Sequence, residues 1–243
     1  MASAPAAGLD RADYVTAPCG TRWPLRYIVH SRARRLRLAC DPARGEFRLT
    51  VPPRMAPRKA LAWADDHRDW AREQAGKAGG PRRFDLADPL RFRGRDLAIA
   101  WHPDSPRRPH LDGDTLSLGG PREAAARRVE RWLKEQARDV MTRETHDYAD
   151  RAGLACEKVS IGDARSRWGS CSARRSIRYN WRLIMAPDFV RRATVSHEVA
   201  HLAHLDHSRR FHALHAELFE GDPAAARAWL RDHGQGLKSL RFD

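Results

Sequence analysis

The chain has 243 residues, 42% of them hydrophobic, enough for one large domain or two small ones with a packed core. Its 45 Lys and Arg against 31 Asp and Glu give a formal charge of +14, which would suit a nucleic-acid partner if it were clustered. It is spread along the sequence instead, almost entirely as arginine in an alanine-rich chain. Cys19, Cys40, Cys156 and Cys171 form no C-x-x-C pair, so neither a thiolate zinc site nor a disulfide framework is expected. No apolar run spans a bilayer, and the N-terminus M-A-S-A-P-A-A-G-L-D lacks the regions of a signal peptide. The expectation is a soluble cytoplasmic protein with no membrane contact.

Residues 1–23 are small, polar and proline-containing, the composition of a flexible N-terminal arm. From residue 24 to residue 119 the pattern is that of a β-rich N-terminal module. L-R-Y-I-V-H, R-L-R-L-A-C and E-F-R-L-T-V read as strands, the last two joined by the turn-forming D-P-A-R-G. One helix is expected over Ala56 to Gln74, with Pro57 at its start and Leu61, Trp63 and Trp70 along it. L-R-F-R-G-R-D-L-A-I-A-W reads as two strands about Gly94, and Asp112-Gly113 signals a hairpin.

Residues 120–243 form a second domain in this reading. Pro121 opens a long helical pattern carrying Val129, Leu133, Val140 and Met141, which Gly153 can cap. K-V-S-I-G and S-I-R-Y-N-W-R-L-I read as strands joined by R-S-R-W-G-S-C-S-A-R-R, and three helices follow from Pro187, about Ser208 and about Pro223.

The helix from Pro187 carries S-H-E-V-A-H. His197 and His201, four residues apart, lie about 40° apart in azimuth and about 6 Å apart along the axis, so both imidazoles reach one ion. Glu198 lies beside the first of them, placed to reach a water in an open coordination position. This is H-E-x-x-H, two nitrogen ligands for Zn²⁺ and a general base. His204 is about 10 Å along the axis from His197, too far for a straight helix to supply a third ligand. The chain must turn so that His207 folds back, and Ser208 can fix that turn by capping the next helix. Glu217 and Glu220 are the competing third ligands, and His212 and His215 read as neighbours of the site. The spacing approaches the metzincin pattern, but His204 stands where those proteins have a turn glycine.

R-S-R-W-G-S-C at 165–171, N-W-R-L-I-M-A-P at 180–187 and H-E-V-A-H-L-A-H-L-D-H-S-R-R-F at 197–211 together resemble the YgjP-like metallopeptidase family. That family is related to SprT-like and minigluzincin proteins. The resemblance implies an α+β chain: a small β-rich N-terminal module with one helix, then a zincin-like (minigluzincin) domain. The latter has a long helix, a small antiparallel sheet and the H-E-x-x-H helix. It further implies a zinc hydrolase with His197, His201 and His207 as ligands and Glu198 as catalytic base. Members often carry Phe-Trp where Phe211-His212 stands.

In R-W-G-S-C, Gly169 suits a tight turn, Trp168 suits the core or a substrate, and Arg167 an anionic substrate. Trp168, Arg167 and Asn180 are the candidate substrate-contacting residues. Cys171 reads as a small apolar residue with no histidine neighbour in sequence. The strand from Ser176 to Leu183, or its neighbour, is expected to lie along the cleft and pair with an extended peptide. The first-ranked substrate is therefore a peptide or protein. The alternatives are hydrolysis of a UTP-type nucleotide, or a SprT-like protease on DNA with the basic N-terminal module holding nucleic acid.

Overall fold

The computed structural model describes residues 14–243. The chain divides into two compact units: one runs to Arg82 and takes in Lys238–Leu240, the other comprises Arg83–Leu237 and Arg241–Asp243. The boundary expected between residues 119 and 120 therefore falls inside the second unit.

The first unit holds β1 (Tyr14–Thr16), β2 (Arg22–Val29), β3 (Arg37–Asp41) and β4 (Glu46–Val51) in the order β1-β2-β4-β3. β3 and β4 form the hairpin expected about D-P-A-R-G, whereas β2 and β4 run parallel. The expected N-terminal arm is partly strand: Tyr14–Thr16 pairs with Arg22–Pro24, and Ala17 and Trp23 are buried. Apolar burial of Trp23 outweighs the polar composition around it. The first 13 residues of that arm lie outside the described residues.

Along β4, Phe47, Leu49 and Val51 are fully buried while the residues between them are half-buried, the period of a one-sided sheet. Two helices cover this face, α1 (Pro57–Asp66) and α2 (Arg68–Ala78), where the sequence suggests one. The break is at His67, whose ring Nδ1 lies 2.8 Å from the Trp63 carbonyl that its own N–H would reach in a continuous helix. The buried stripe is Ala60, Ala64, Ala71, Ala75 and Ala78, small side chains that let the helices approach the sheet closely, while Trp70 is exposed.

The strand β5 (Arg82–Arg83) is where the chain passes to the second unit. There β6 (Leu90–Phe92), β7 (Arg95–Trp101), β8 (His110–Asp112) and β9 (Thr115–Leu118) form a sheet in the order β6-β7-β9-β8. Both predicted hairpins are present, about Arg93-Gly94, each with positive φ, and about Gly113-Asp114. α3 (Ala125–Arg151) buries Val129, Leu133, Val140 and Met141, and two residues past its end Gly153, with a φ of 63°, is the left-handed cap the sequence implies.

A second sheet follows: β10 (Lys158–Gly162), β11 (Gly169–Cys171) and β12 (Ser176–Asn180) in the order β10-β12-β11. Expected to be antiparallel, it is mixed. β10 pairs parallel with β12, and β11 pairs antiparallel with it. The anticipated strand ends at Asn180, and Trp181–Met185 turns into a 3-10 helix whose first turn is capped by the Asn180 side chain. Then come α4 (Asp188–Ala200), α5 (Arg209–Leu218), α6 (Pro223–Ser239) and β13 (Leu240–Arg241). No helix among the described residues is long and apolar enough to cross a membrane.

Candidate metal centre

α4 is held in place before it holds anything else. The turn at Arg93-Gly94 donates backbone hydrogen bonds to Ile184 and Met185, and a Cβ on Gly94 would lie 2.8 Å from Cα of Pro187, the residue that caps α4. Arg191, 1% exposed, is forked onto both Glu144 carboxylate oxygens on α3 at 2.7 and 3.0 Å and bonds Asp188 at 2.6 Å. Arg93 completes the chain of charges onto Asp188. A buried guanidinium satisfied on two sides is tolerated only in one geometry, so α4 is fixed against α3.

The helix ends at Ala200, earlier than the apolar pattern suggests, with His201 as its C-terminal cap. The chain then folds back. Ser208 caps α5, its Oγ accepting from the Phe211 N–H at 3.4 Å, and His207 immediately before it is swung beneath α4. One ligand-capable nitrogen from each of His197, His201 and His207 lies within 4.8 Å of the others, and no other such group occurs among the described residues.

Nε2 of His197 and Nε2 of His207 are 3.3 Å apart. Two nitrogens each about 2.0–2.1 Å from a tetrahedral zinc ion stand roughly 3.3–3.4 Å from one another, so the pair is spaced as zinc requires. His201 Nδ1 lies 2.9 Å from the His204 carbonyl, which fixes Nδ1 as the protonated nitrogen and leaves Nε2 with its lone pair for a metal. Burial, then the rings of His201, His215 and His207, lower His197 to about 3, so its imidazole is neutral and able to ligate. Phe211, fully buried, sets its ring 4.4–4.9 Å from all three imidazoles and forms the apolar wall of the site. Its position, four residues after His207 on the capped helix, was available in the sequence but not singled out.

Glu198 is 6% exposed. Burial raises its carboxyl to about 7, with Arg167 acting in the opposite direction. β11 lies against it: a Cβ built on Gly169 would fall 2.3 Å from Glu198 Oε1. Gly169 is thus a strand residue whose missing side chain makes room for the carboxylate, not the tight turn its type suggests.

The competing ligands are elsewhere. Glu217 is exposed on α5 and Glu220 bonds Arg151 at 3.0 Å, and neither joins the triad. His204 contributes its carbonyl, and His215 is buried with Nε2 3.3 Å from the Ala193 carbonyl. Of the candidate substrate-contacting residues, Arg167 is exposed, and Trp168 packs its ring on α6, where a Cβ on Gly234 would meet it at 2.8 Å. Asn180 is 1% exposed and has both ends of its amide engaged, accepting from the Arg182 N–H and donating to the Ala164 carbonyl. Its role here is to hold the chain. The Cys171 thiol is pushed up to about 11 by burial, then by Glu198 and Cys156, so it stays protonated and weakly nucleophilic.

The strand expected along the cleft, β12, is the middle strand of its sheet. The end strand is its neighbour β11, whose outer edge pairs with no strand among the described residues.

The sequence profile of the family described as YgjP-like, metallopeptidase domain, matches residues 34–233. The chain belongs to that family. Neither a curated protein nor a solved structure matches it. Its membership makes it a metallopeptidase-type hydrolase at the level of the family, and the YgjP-like match spans H-E-x-x-H, the R-W-G-S-C strand and the His207 turn together.

Proposed function

We propose that the protein is a zinc-dependent peptidase that cleaves peptide bonds with Glu198 as general base. The observation that carries this reading is the meeting of three imidazoles with a buried carboxylate beside an unpaired strand edge. His197, His201 and His207 would hold the ion. Zinc bound there supplies Lewis acidity toward a scissile carbonyl and acidifies water.

The chain's own residues supply the rest. Burial raises the Glu198 carboxyl and so favours its holding a proton, which suits a group that takes a proton from water and returns it to the departing amine. Gly169 lets that carboxylate sit against β11, so a substrate extended along the free edge of β11 passes directly by it. Phe211 excludes water from behind the imidazoles. Four cysteines without a disulfide suit a reducing cytoplasm.

The test is purified protein beside Glu198→Gln and His207→Ala, assayed for bound zinc and for cleavage of an unstructured protein, with nucleoside triphosphates as a parallel substrate. Glu198→Gln should keep its zinc and lose turnover by on the order of 100-fold or more. Full activity in that variant sinks the mechanism, and cleavage of triphosphate alone moves the same centre to a different substrate.

A further inference from the structure

The mixed sheet has two faces. Gly169 on β11 lies against Glu198, and Tyr179 on β12 sends its hydroxyl to Thr145 of α3 at 2.9 Å. Side chains alternate along a strand, so Ser170 and its cross-strand partner Arg178 belong to the opposite face. On that face is a cavity of about 250 Å³ lined by Arg167, Trp168, Ser170 and Arg178 among others.

Its charge is unbalanced. Asp163, also in the lining, is held by the buried Arg182, which donates from Nε at 3.0 Å and from a second nitrogen at 3.2 Å. Neither Arg167 nor Arg178 forms an ion pair with a carboxylate among the described residues, although the charge of Arg167 acts on Glu198. Arg178 is nevertheless placed rather than loose: a Cβ on Gly162 would lie 2.4 Å from its guanidinium, so the absence of a side chain there lets the group lie across the sheet. Two guanidinium groups outside any contact ion pair, a hydroxyl and an aromatic wall form a receptor for a planar anion.

The cavity shares a strand with the reacting centre. A peptide added to the free edge of β11 would run about 4.8 Å beyond it and turn its side chains alternately to the two faces. The residue opposite Ser170 points to the Arg178 face, and its chain neighbours point to the Glu198 face. We propose that this cavity is a subsite for a peptide carboxylate, either an Asp or Glu side chain or the free C-terminus, carried one residue away from the residue lying over Glu198. The proposal rests on the peptidase reading and narrows it to substrates acidic at one defined position.

Binding separates the two. Zinc-loaded full-length Glu198→Gln protein is titrated with labelled extended peptides in matched pairs, Glu against Gln at each position and free C-terminus against amide. The acidic member of one pair should bind about fivefold or more tightly at low salt, with the gap narrowing as salt rises. Which pair shows the gap tells side chain from terminus. Adding Arg178→Met should bring the ratio near one, and Arg178→Lys should keep part of it. If Arg178→Met does not fold, Arg167→Met carries the same expectation. Equal affinities within every pair overturn the subsite, as does a preference that survives both arginine replacements. A preference that is present while the wild-type enzyme cleaves no peptide leaves the subsite standing and removes the peptidase reading alone.

Discussion

Gly169 and Glu198 touch as closely as a residue without a side chain allows: a Cβ on the first would stand 2.3 Å from Oε1 of the second. The neighbour at risk is a buried carboxylate packed between a strand and a helix, with little room to withdraw. Gly169→Ala should therefore displace Glu198 and lower kcat/KM on a peptide by roughly 100-fold, the scale of a displacement of about 1 Å at a reacting group. Zinc content should be unchanged, since no ligand is touched. Wild-type kinetics in this variant would show that the contact does not position the carboxylate.

The three histidines after the helix differ in what they contribute. His207 brings its ring within 3.3 Å of His197, whereas His204 gives only its backbone carbonyl to His201. His207→Ala should weaken zinc binding by more than about 100-fold, beyond the usual loss from removing a group behind a ligand. His204→Ala, which keeps the carbonyl, should hold zinc as the parent does. A competition titration with a zinc-selective chelator reads both, and the reverse ranking would reassign the third ligand.

Legibility in the sequence followed the range of the interaction. His197 and His201 were readable because a helix converts spacing of four into proximity. His207 was readable because Ser208 announces a helix start directly after it. Both hairpin turns, at Gly94 and Gly113, carry their geometry in the local residues. The unread features depend on partners far along the chain. β11 is three residues long and shows itself as a strand only through its pairing with β12. Gly169 meets a carboxylate 29 positions later, and Arg191 meets Glu144 47 positions earlier. The break at His67 comes from a side chain competing for a backbone carbonyl, which the apolar period of α1 and α2 does not register.

The Glu144–Arg191 pair joins α3 to α4 with the Arg191 side chain 1% exposed and the Glu144 side chain 16%. Removing one partner of such a pair leaves a buried charge half satisfied. Glu144→Ala should lower stability by about 3 kcal/mol, measured by urea unfolding of the metal-free protein. Asp188, the remaining partner of Arg191, limits the loss. A change within error would mean that water reaches Arg191 readily.

Asp188 reports on the same junction through pH. Burial raises its carboxyl, but hydrogen bonds and charge from Arg93 and Arg191 more than offset this and lower it to about 2. In the unfolded chain the group titrates near 4. The sign follows: the folded state binds the proton less readily, so the stabilisation is complete above about pH 4 and is lost as pH falls toward 2. The side chain is 40% exposed, so solvent screens a good part of the effect. Thermal midpoints of metal-free protein and Asp188→Asn should differ at pH 5 and converge as pH drops below 4. Using metal-free protein keeps any loss of metal from the His197, His201 and His207 cluster out of the same window. A constant gap from pH 5 to pH 2.5 would mean that the Asp188 charge does not anchor α4.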